Sequence, residues 1–177
     1  MVRLLKKYYR YLILLSILFV GCGSDLQTKK IAKEKLQKES IEVIDGVFDL
    51  TYVENHAIAF GIFSRLNHNI RIPFILILTG SIGLFGLFLV WKLRKYRLML
   101  LVSLIFILAG AFGNIIDRLI HGFVTDLFHV YYRERFDFPV FNMADVMINI
   151  GIFTLLFQIR YFDNAVQTIF KKKSKTI

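Results

Sequence analysis

The chain has 177 residues, 56% of them hydrophobic, and a formal net charge of +10. Soluble domains carry roughly 45–50% apolar residues, so the composition argues against a purely soluble protein. The basic residues cluster beside apolar runs, as in membrane topology, rather than along a groove for nucleic acid. The single cysteine, Cys22, excludes an intramolecular disulfide and offers no metal-ligand cluster.

At the start, Arg3, Lys6, Lys7 and Arg10 precede an uncharged run from Tyr11 to Ser24. The run is shorter than the ~20 residues a span needs. Phe19-Val20-Gly21-Cys22 loosely resembles the cleavage box of a bacterial lipoprotein precursor, so a removable signal ending near Cys22 is one reading. Tyr8 and Tyr9 can extend the helix into the interface, and further apolar runs follow, so a retained first span over about residues 8–29 is expected. Residues 25–40 continue that helix as a polar segment. Asp25 and Lys29, four apart, share a face and can pair; on spacing alone a solvated helix end is the better explanation.

Residues 41–63 alternate β-branched and aromatic residues around Asp45-Gly46, which reads as short strands joined by a turn. The segment is too short and too polar to span, so a β-rich insertion outside the membrane is expected over about residues 41–70. Asn55 to Gly61 leaves it as a loop or short helix. Pro73 suits the first turn of a helix, and a second span follows over 72–91, closed by Trp91. Lys92-Leu93-Arg94-Lys95-Tyr96-Arg97 is a tight basic loop. A third span covers about 98–117, with Ala109, Gly110 and Gly113 permitting close helix approach. An outer loop over about 119–137 begins with His121-Gly122 as turn chemistry. The last span, 138–160, is interrupted only by Asp145, and a basic tail, Lys171-Lys172-Lys173-Ser174-Lys175, ends the chain.

Lysine and arginine set the topology. The N-terminus, the 92–97 loop and the tail hold 4, 4 and 5 basic residues with one acid, Asp163. Residues 25–72 and 117–145 hold 10 basic residues against 12 acidic ones. The first group is expected in the cytoplasm and the second outside. The expected fold is therefore an all-α membrane core of four transmembrane helices with a small extracytoplasmic β-sheet, forming a single integral-membrane domain over residues 1–177.

Asn114, Asp117 and Arg118 share one face at the end of the third span, with Gly110 beneath them. Asn142, Asp145 and Asn149 repeat that spacing at the start of the fourth. Such groups can simply hydrogen-bond within a bundle, which suffices for Asn149. Ionisable groups at the membrane edge more often mark function. Two carboxylates brought together share a proton, the arrangement that activates water against a peptide carbonyl without metal or cofactor. Competing motifs are weak: Gly80-Ser81-Ile82-Gly83 is not a nucleophile elbow. Histidines 56, 68, 121 and 129 lack metal-ligand spacing, including the set His121, Asp126 and His129.

With these residues in hand, the chain resembles the lipoprotein signal peptidase (signal peptidase II) family, integral-membrane aspartyl peptidases of bacteria. The resemblance runs from about Asp25 to Gly151. It is carried in order by Asp25-x-x-Thr-Lys29, Val43-Ile-x-Gly-x-Phe48 with Asn55-x-x-x-Ala59-Phe-Gly, Gly113-Asn-Ile-Ile-Asp-Arg118, Gly122-x-Val-x-Asp126 and Phe141-Asn-x-Ala-Asp145. One departure is Ala57, where the family has glycine. The resemblance implies Asp117 and Asp145 as the catalytic dyad. It implies that Asn55, Asn114, Arg118 and Asn142 hold substrate or support the dyad, and that Asp25 and Lys29 shape the site. It further implies a monomer of the bacterial cytoplasmic (inner) membrane, in contact with membrane lipid, with both termini cytoplasmic and the site near the outer face. The implied substrate is a lipid-modified prolipoprotein, cleaved just before its diacylglyceryl cysteine; no cofactor, metal or nucleic acid is implied.

A reading from another class is a small transporter or channel subunit with an intramembrane relay of Asp117, Arg118 and Asp145. It requires a charge path continuing inward, yet the inner halves of the spans between Ile72 and Ile159 contain no ionisable residue.

Overall fold

The computed structural model describes residues 2–56, 67–133 and 135–158. In chain order these form α1 (Val2–Lys35), β1 (Ile41–Ile44), β2 (Phe48–Asn55), α2 (His68–Leu93), α3 (Leu98–His121), β3 (Val124–Tyr132), β4 (Phe136–Asp137) and α4 (Met143–Phe157). The segment 57–66, which contains Ala57 and most of the expected 55–61 loop, lies outside the described residues, as do 159–160 of the expected last span and the basic tail.

Three helices, over Tyr8–Lys35, Asn69–Leu93 and Leu98–His121, are long and apolar enough to cross a membrane. The polar continuation of α1 stays helical to Lys35. α2 starts a turn earlier than Pro73 suggests, because Asn67 caps it by accepting from the Asn69 N–H at 3.1 Å. Its apolar side chains face outward, with Ile77 and Leu84 each 70% exposed, the inverse of a soluble surface. α4 is shorter, 15 residues, or roughly 22 Å. It begins at Met143 rather than near Phe138, since Phe141 bridges Phe128 of β3 and holds the preceding residues extended.

The membrane core centres on Leu14, Leu93, Leu100, Leu101, Leu104, Ile105 and Leu108. Lipid supplies no hydrophobic drive between helices, so small residues decide how closely they pack. A Cβ on Gly110 would strike the Ala144 carbonyl and sit 2.8 Å from Ile148. One on Gly151 would lie 2.7 Å from the Ser103 carbonyl. α3 and α4 are thereby in backbone contact, and Gly113 admits the Asp25 carboxylate of α1 in the same way.

The sheet is antiparallel throughout, in the order β1-β2-β3-β4. Gly46, at φ 67°, makes the β1–β2 turn expected at Asp45-Gly46. The expected outer loop 119–137 is corrected: α3 continues to His121, Gly122 at φ 80° ends it, and β3 and β4 occupy most of the remainder. Val124, Thr125, Val130 and Tyr131 are strand-forming residues, and pairing with β2 from Phe48↔Val130 to Asn55↔Val124 satisfies their backbone. β3 thus becomes an inner strand that starts one turn beyond the end of α3.

Gly110→Ala should lower the thermal midpoint of the detergent-solubilised protein by an amount equivalent to about 1–3 kcal/mol. Gly80→Ala, where a Cβ meets nothing within 4 Å, should leave the midpoint essentially unchanged in the same melting experiment.

Candidate active site

The polar residues of five elements converge where α1, α3 and α4 meet β2 and β3 of the sheet. From α1, Lys29 Nζ lies 2.8 Å from Asp25 Oδ2, 3.5 Å from Asp117 Oδ2, and donates to Asn114 Oδ1 at 2.9 Å. Asp25 is fully buried and Lys29 is 3% exposed. A charge so buried must be paired, so the helical i,i+4 pair is a structural anchor and not a solvated helix end. Asp25 Oδ1 also accepts the Ala144 N–H at 2.9 Å, one of the free donors of the first turn of α4.

α3 contributes its last two turns. Asp117 is 2% exposed. Its Oδ2 accepts the Thr125 N–H at 2.7 Å, and its Oδ1 lies 2.9 Å from His121 Nδ1. Together with Lys29, both oxygens are engaged. Arg118 folds back toward the Asn114 carbonyl at 3.4 Å and stands within electrostatic reach of Asp126, Asp145 and Asp117.

α4 opens with a capping box. Asn142 Oδ1 accepts the Asp145 N–H at 3.0 Å, while Asp145 Oδ2 accepts the Asn142 N–H at 3.2 Å. Asn142 is fully buried. Its Nδ2 donates to Asp126 Oδ1 at 2.6 Å and to Asn114 Oδ1 at 3.3 Å. Two acceptors on one side and an N–H on the other fix the orientation of this amide. Asn114 Nδ2 in turn donates to Asp145 Oδ1 at 3.0 Å.

The sheet supplies Asp126 of β3 and Asn55 of β2, whose Nδ2 donates to Asp126 Oδ2 at 2.9 Å. Asp126 is 2% exposed. Its carboxyl is pushed up to about 6: burial is the main cause and the Asp145 charge adds to it, while hydrogen bonds from Asn55 and Asn142 and the Lys29 charge hold it down. A cavity of about 410 Å³ opens beside it, lined by Asn55, His56, Arg71, Asp126, Pro139 and Val140 among others. Neither Asp117 nor Asp145 lines this cavity.

All eight sequence-derived site residues (Asp25, Lys29, Asn55, Asn114, Arg118, Asp117, Asn142 and Asp145) fall in this one cluster, directly or through a shared partner. Asn149 does not join it and is exposed. The set His121, Asp126 and His129 is parted, for His121 turns to Asp117, Asp126 to the two asparagines, and His129 to Asp137 at 2.8 Å. The residue that sequence reasoning passed over is Asp126. It stood in the Gly122-x-Val-x-Asp126 motif, but no apolar helical run drew attention to it. The signal that could have found it is a single acid inside a run of strand-forming residues, Val-Thr-Asp-Leu-Phe.

The raised carboxyl of Asp126 has a pH consequence. The folded protein binds this proton more tightly than the unfolded chain, so its contribution is present at low pH and lost as pH rises toward about 6. Relative to Asp126→Asn, the wild type should lose roughly 3 kcal/mol of stability between pH 3.8 and about 6. Thermal melts of the two proteins across that range measure the difference.

Comparison with known proteins agrees with this architecture. A family model described as signal peptidase (SPase) II matches residues 17–161. A lipoprotein signal peptidase of Clostridium acetobutylicum is 36% identical over 136 residues, 76% of this chain and 85% of that protein. Another, of Gloeothece citriformis, is 39% identical over 142 residues, 79% of this chain and 84% of the relative. Two solved structures, each described as a bacterial membrane enzyme determined by the in meso method, superpose with a TM-score of 0.73. They are 28% and 26% identical; the first covers 84% of this chain and 88% of its own, the second 83% and 92%. The apolar helices, the buried carboxylate cluster and these matches together make the chain a membrane protein and a member of the signal peptidase II family.

Proposed function

We propose that this protein is an aspartyl endopeptidase that removes the signal peptide from diacylglyceryl-modified prolipoproteins by cleaving before the lipidated cysteine. The family assignment supports the substrate class. The chemistry rests on a single observation: one buried side chain, Asn142, hydrogen-bonds Asp126 through its amide and caps Asp145 through its backbone and its carbonyl oxygen.

Asp126 and Asp145 are the reacting pair in this reading. Four carboxylates (Asp25, Asp117, Asp126 and Asp145) face two permanent cations, Lys29 and Arg118. The excess negative charge favours one shared proton. Asp126, whose carboxyl is pushed up to about 6, carries the shared proton. Asp145 takes the proton of an attacking water while Asp126 donates the shared proton to the carbonyl oxygen. The tetrahedral species collapses as Asp145 passes its proton to the leaving amine and the hydroxyl proton returns to Asp126. No covalent intermediate forms. Asn55, Asn114 and Arg118 orient the pair and the scissile backbone, and Asp117, paired with Lys29 and bound by the Thr125 N–H and His121, acts as an anchor.

The sequence expectation of an Asp117–Asp145 pair keeps one observation in its favour, the Lys29–Asn114 link between them. The two readings separate by mutation. Asp126→Asn and Asp145→Asn should each abolish cleavage of a lipidated precursor while leaving the melting curve of a folded protein. Asp117→Asn should lower the melting temperature together with the activity. An Asp126→Asn enzyme that still turns over, beside a folded and inactive Asp117→Asn, returns the role to Asp117.

The remaining features of the proposal are a single domain over 1–177, a fourth span built on α4, termini in the cytoplasm and a site near the outer face of the bacterial inner membrane. The charge distribution supports that orientation. The proposal further includes a monomer working in lipid on its prolipoprotein substrate without nucleic acid, metal or cofactor. An ion relay finds no support, since α3 carries no ionisable residue between Leu98 and Ile116.

The pH dependence of kcat/KM should show a basic limb near 6, with activity falling as pH rises and Asp126 loses the shared proton. The Asn55 hydrogen bond holds that carboxyl down, so Asn55→Ala should move the limb to higher pH. A pH–rate profile of both proteins gives the answer.

A further inference from the structure

At the end of the helices away from the carboxylates, α2 presents an aromatic ladder. Phe85, Phe88 and Trp91 stand at three-residue spacing, with successive ring centroids 6.3 Å apart. They are 58%, 44% and 55% exposed. At the top of the ladder, two cations converge on one ring. Lys92 Nζ lies 5.0 Å from the Trp91 centroid and 5.7 Å from that of Phe88, and Arg94 Cζ lies 5.3 Å from Trp91.

One cation over an exposed indole is an ordinary contact. Two that also repel each other leave a concentration of positive charge seeking an anion, and Lys95 in the same turn adds to it, with no acid in the sequence between Lys92 and Asp117. The turn is held in place. The Tyr96 N–H donates to the Leu93 carbonyl at 2.9 Å, Leu93 is fully buried, and Arg10 of α1 donates to the Tyr96 carbonyl. An apolar stripe leading up the helix to a cluster of cations has the shape of an amphiphile's complement: acyl chain below, phosphate above. A small soluble anion would use only the upper half.

We propose that this corner of α2 seats an anionic phospholipid, its acyl chain along Phe85 and Phe88 and its phosphate between Lys92 and Arg94. The seat is separate from the carboxylate cluster and takes no part in the hydrolysis. It couples the basic turn to individual headgroups of the leaflet that the turn faces.

Trp91 is the only tryptophan of the chain, so its emission reports this corner alone. The full-length protein in neutral detergent is titrated with phosphatidylglycerol brominated on its acyl chains, and in parallel with equally brominated phosphatidylcholine. The anionic lipid should quench Trp91 saturably and at lower mole fraction, and salt should weaken the effect. Lys92→Gln with Arg94→Gln, both exposed positions, should weaken it about five-fold per charge removed. Glycerol phosphate should neither change the emission nor compete. Equal quenching by the two lipids, a salt-independent titration, an unchanged midpoint in the double variant, or displacement by glycerol phosphate would each overturn the assignment.

Discussion

The buried amide of Asn142 is the constraint on which the rest of the site depends. It sits where α4 begins, a place where several backbone N–H groups lack partners. Its carbonyl oxygen serves one of them, its own N–H is served by Asp145, and its two amide protons go to Asp126 and Asn114. One side chain therefore ties the end of α4 to a strand of the sheet and to α3. An aspartate in its place could cap the helix but would have no hydrogen for Asp126, and a leucine would do neither.

A cluster this polar survives at the edge of an apolar bundle because its charges are placed against partners rather than water. Lys29 distributes one charge over Asp25, Asp117 and Asn114. That distribution needs the helices close together, and Gly110, Gly113 and Gly151 permit the approach. Packing and electrostatics are linked here: a methyl group at Gly113 would displace the carboxylate that holds both Lys29 and the first turn of α4.

Much of this was legible in the sequence. Acids at the ends of two apolar runs are conspicuous because hydrocarbon penalises them, and the i,i+3 and i,i+4 spacing of Asn114, Asp117 and Arg118 gives them one face. Asp25 and Lys29 were visible as a pair, but spacing could not tell whether water or the bundle surrounds them. Asp126 was hidden for a different reason. Its partners Asn55 and Asn142 are distant in the chain, and only the β2–β3 register, Val53↔Asp126, brings the first of them near. Periodicity reports local structure, and a side-chain hydrogen bond between residues 71 positions apart leaves no local trace. The start of α4 was misplaced for the same reason, since the Phe128–Phe141 bridge that keeps its approach extended is a tertiary contact.

The bond from the Ala144 N–H to Asp25 spans 119 residues, and its consequence concerns the order in which the molecule is made. Chains emerge N-terminus first. The first helix therefore enters the bilayer carrying an aspartate and a lysine whose other partners do not yet exist, and these two can neutralise only each other. The second helix brings no relief, since the groups that complete the pair lie on the third and fourth. Asn142 and Asp145, among the last of the cluster to be synthesised, close the assembly. A nascent or truncated chain ending before α4 thus holds no assembled carboxylate pair at all, and the peptidase chemistry proposed for this fold becomes available only once the whole bundle is in place.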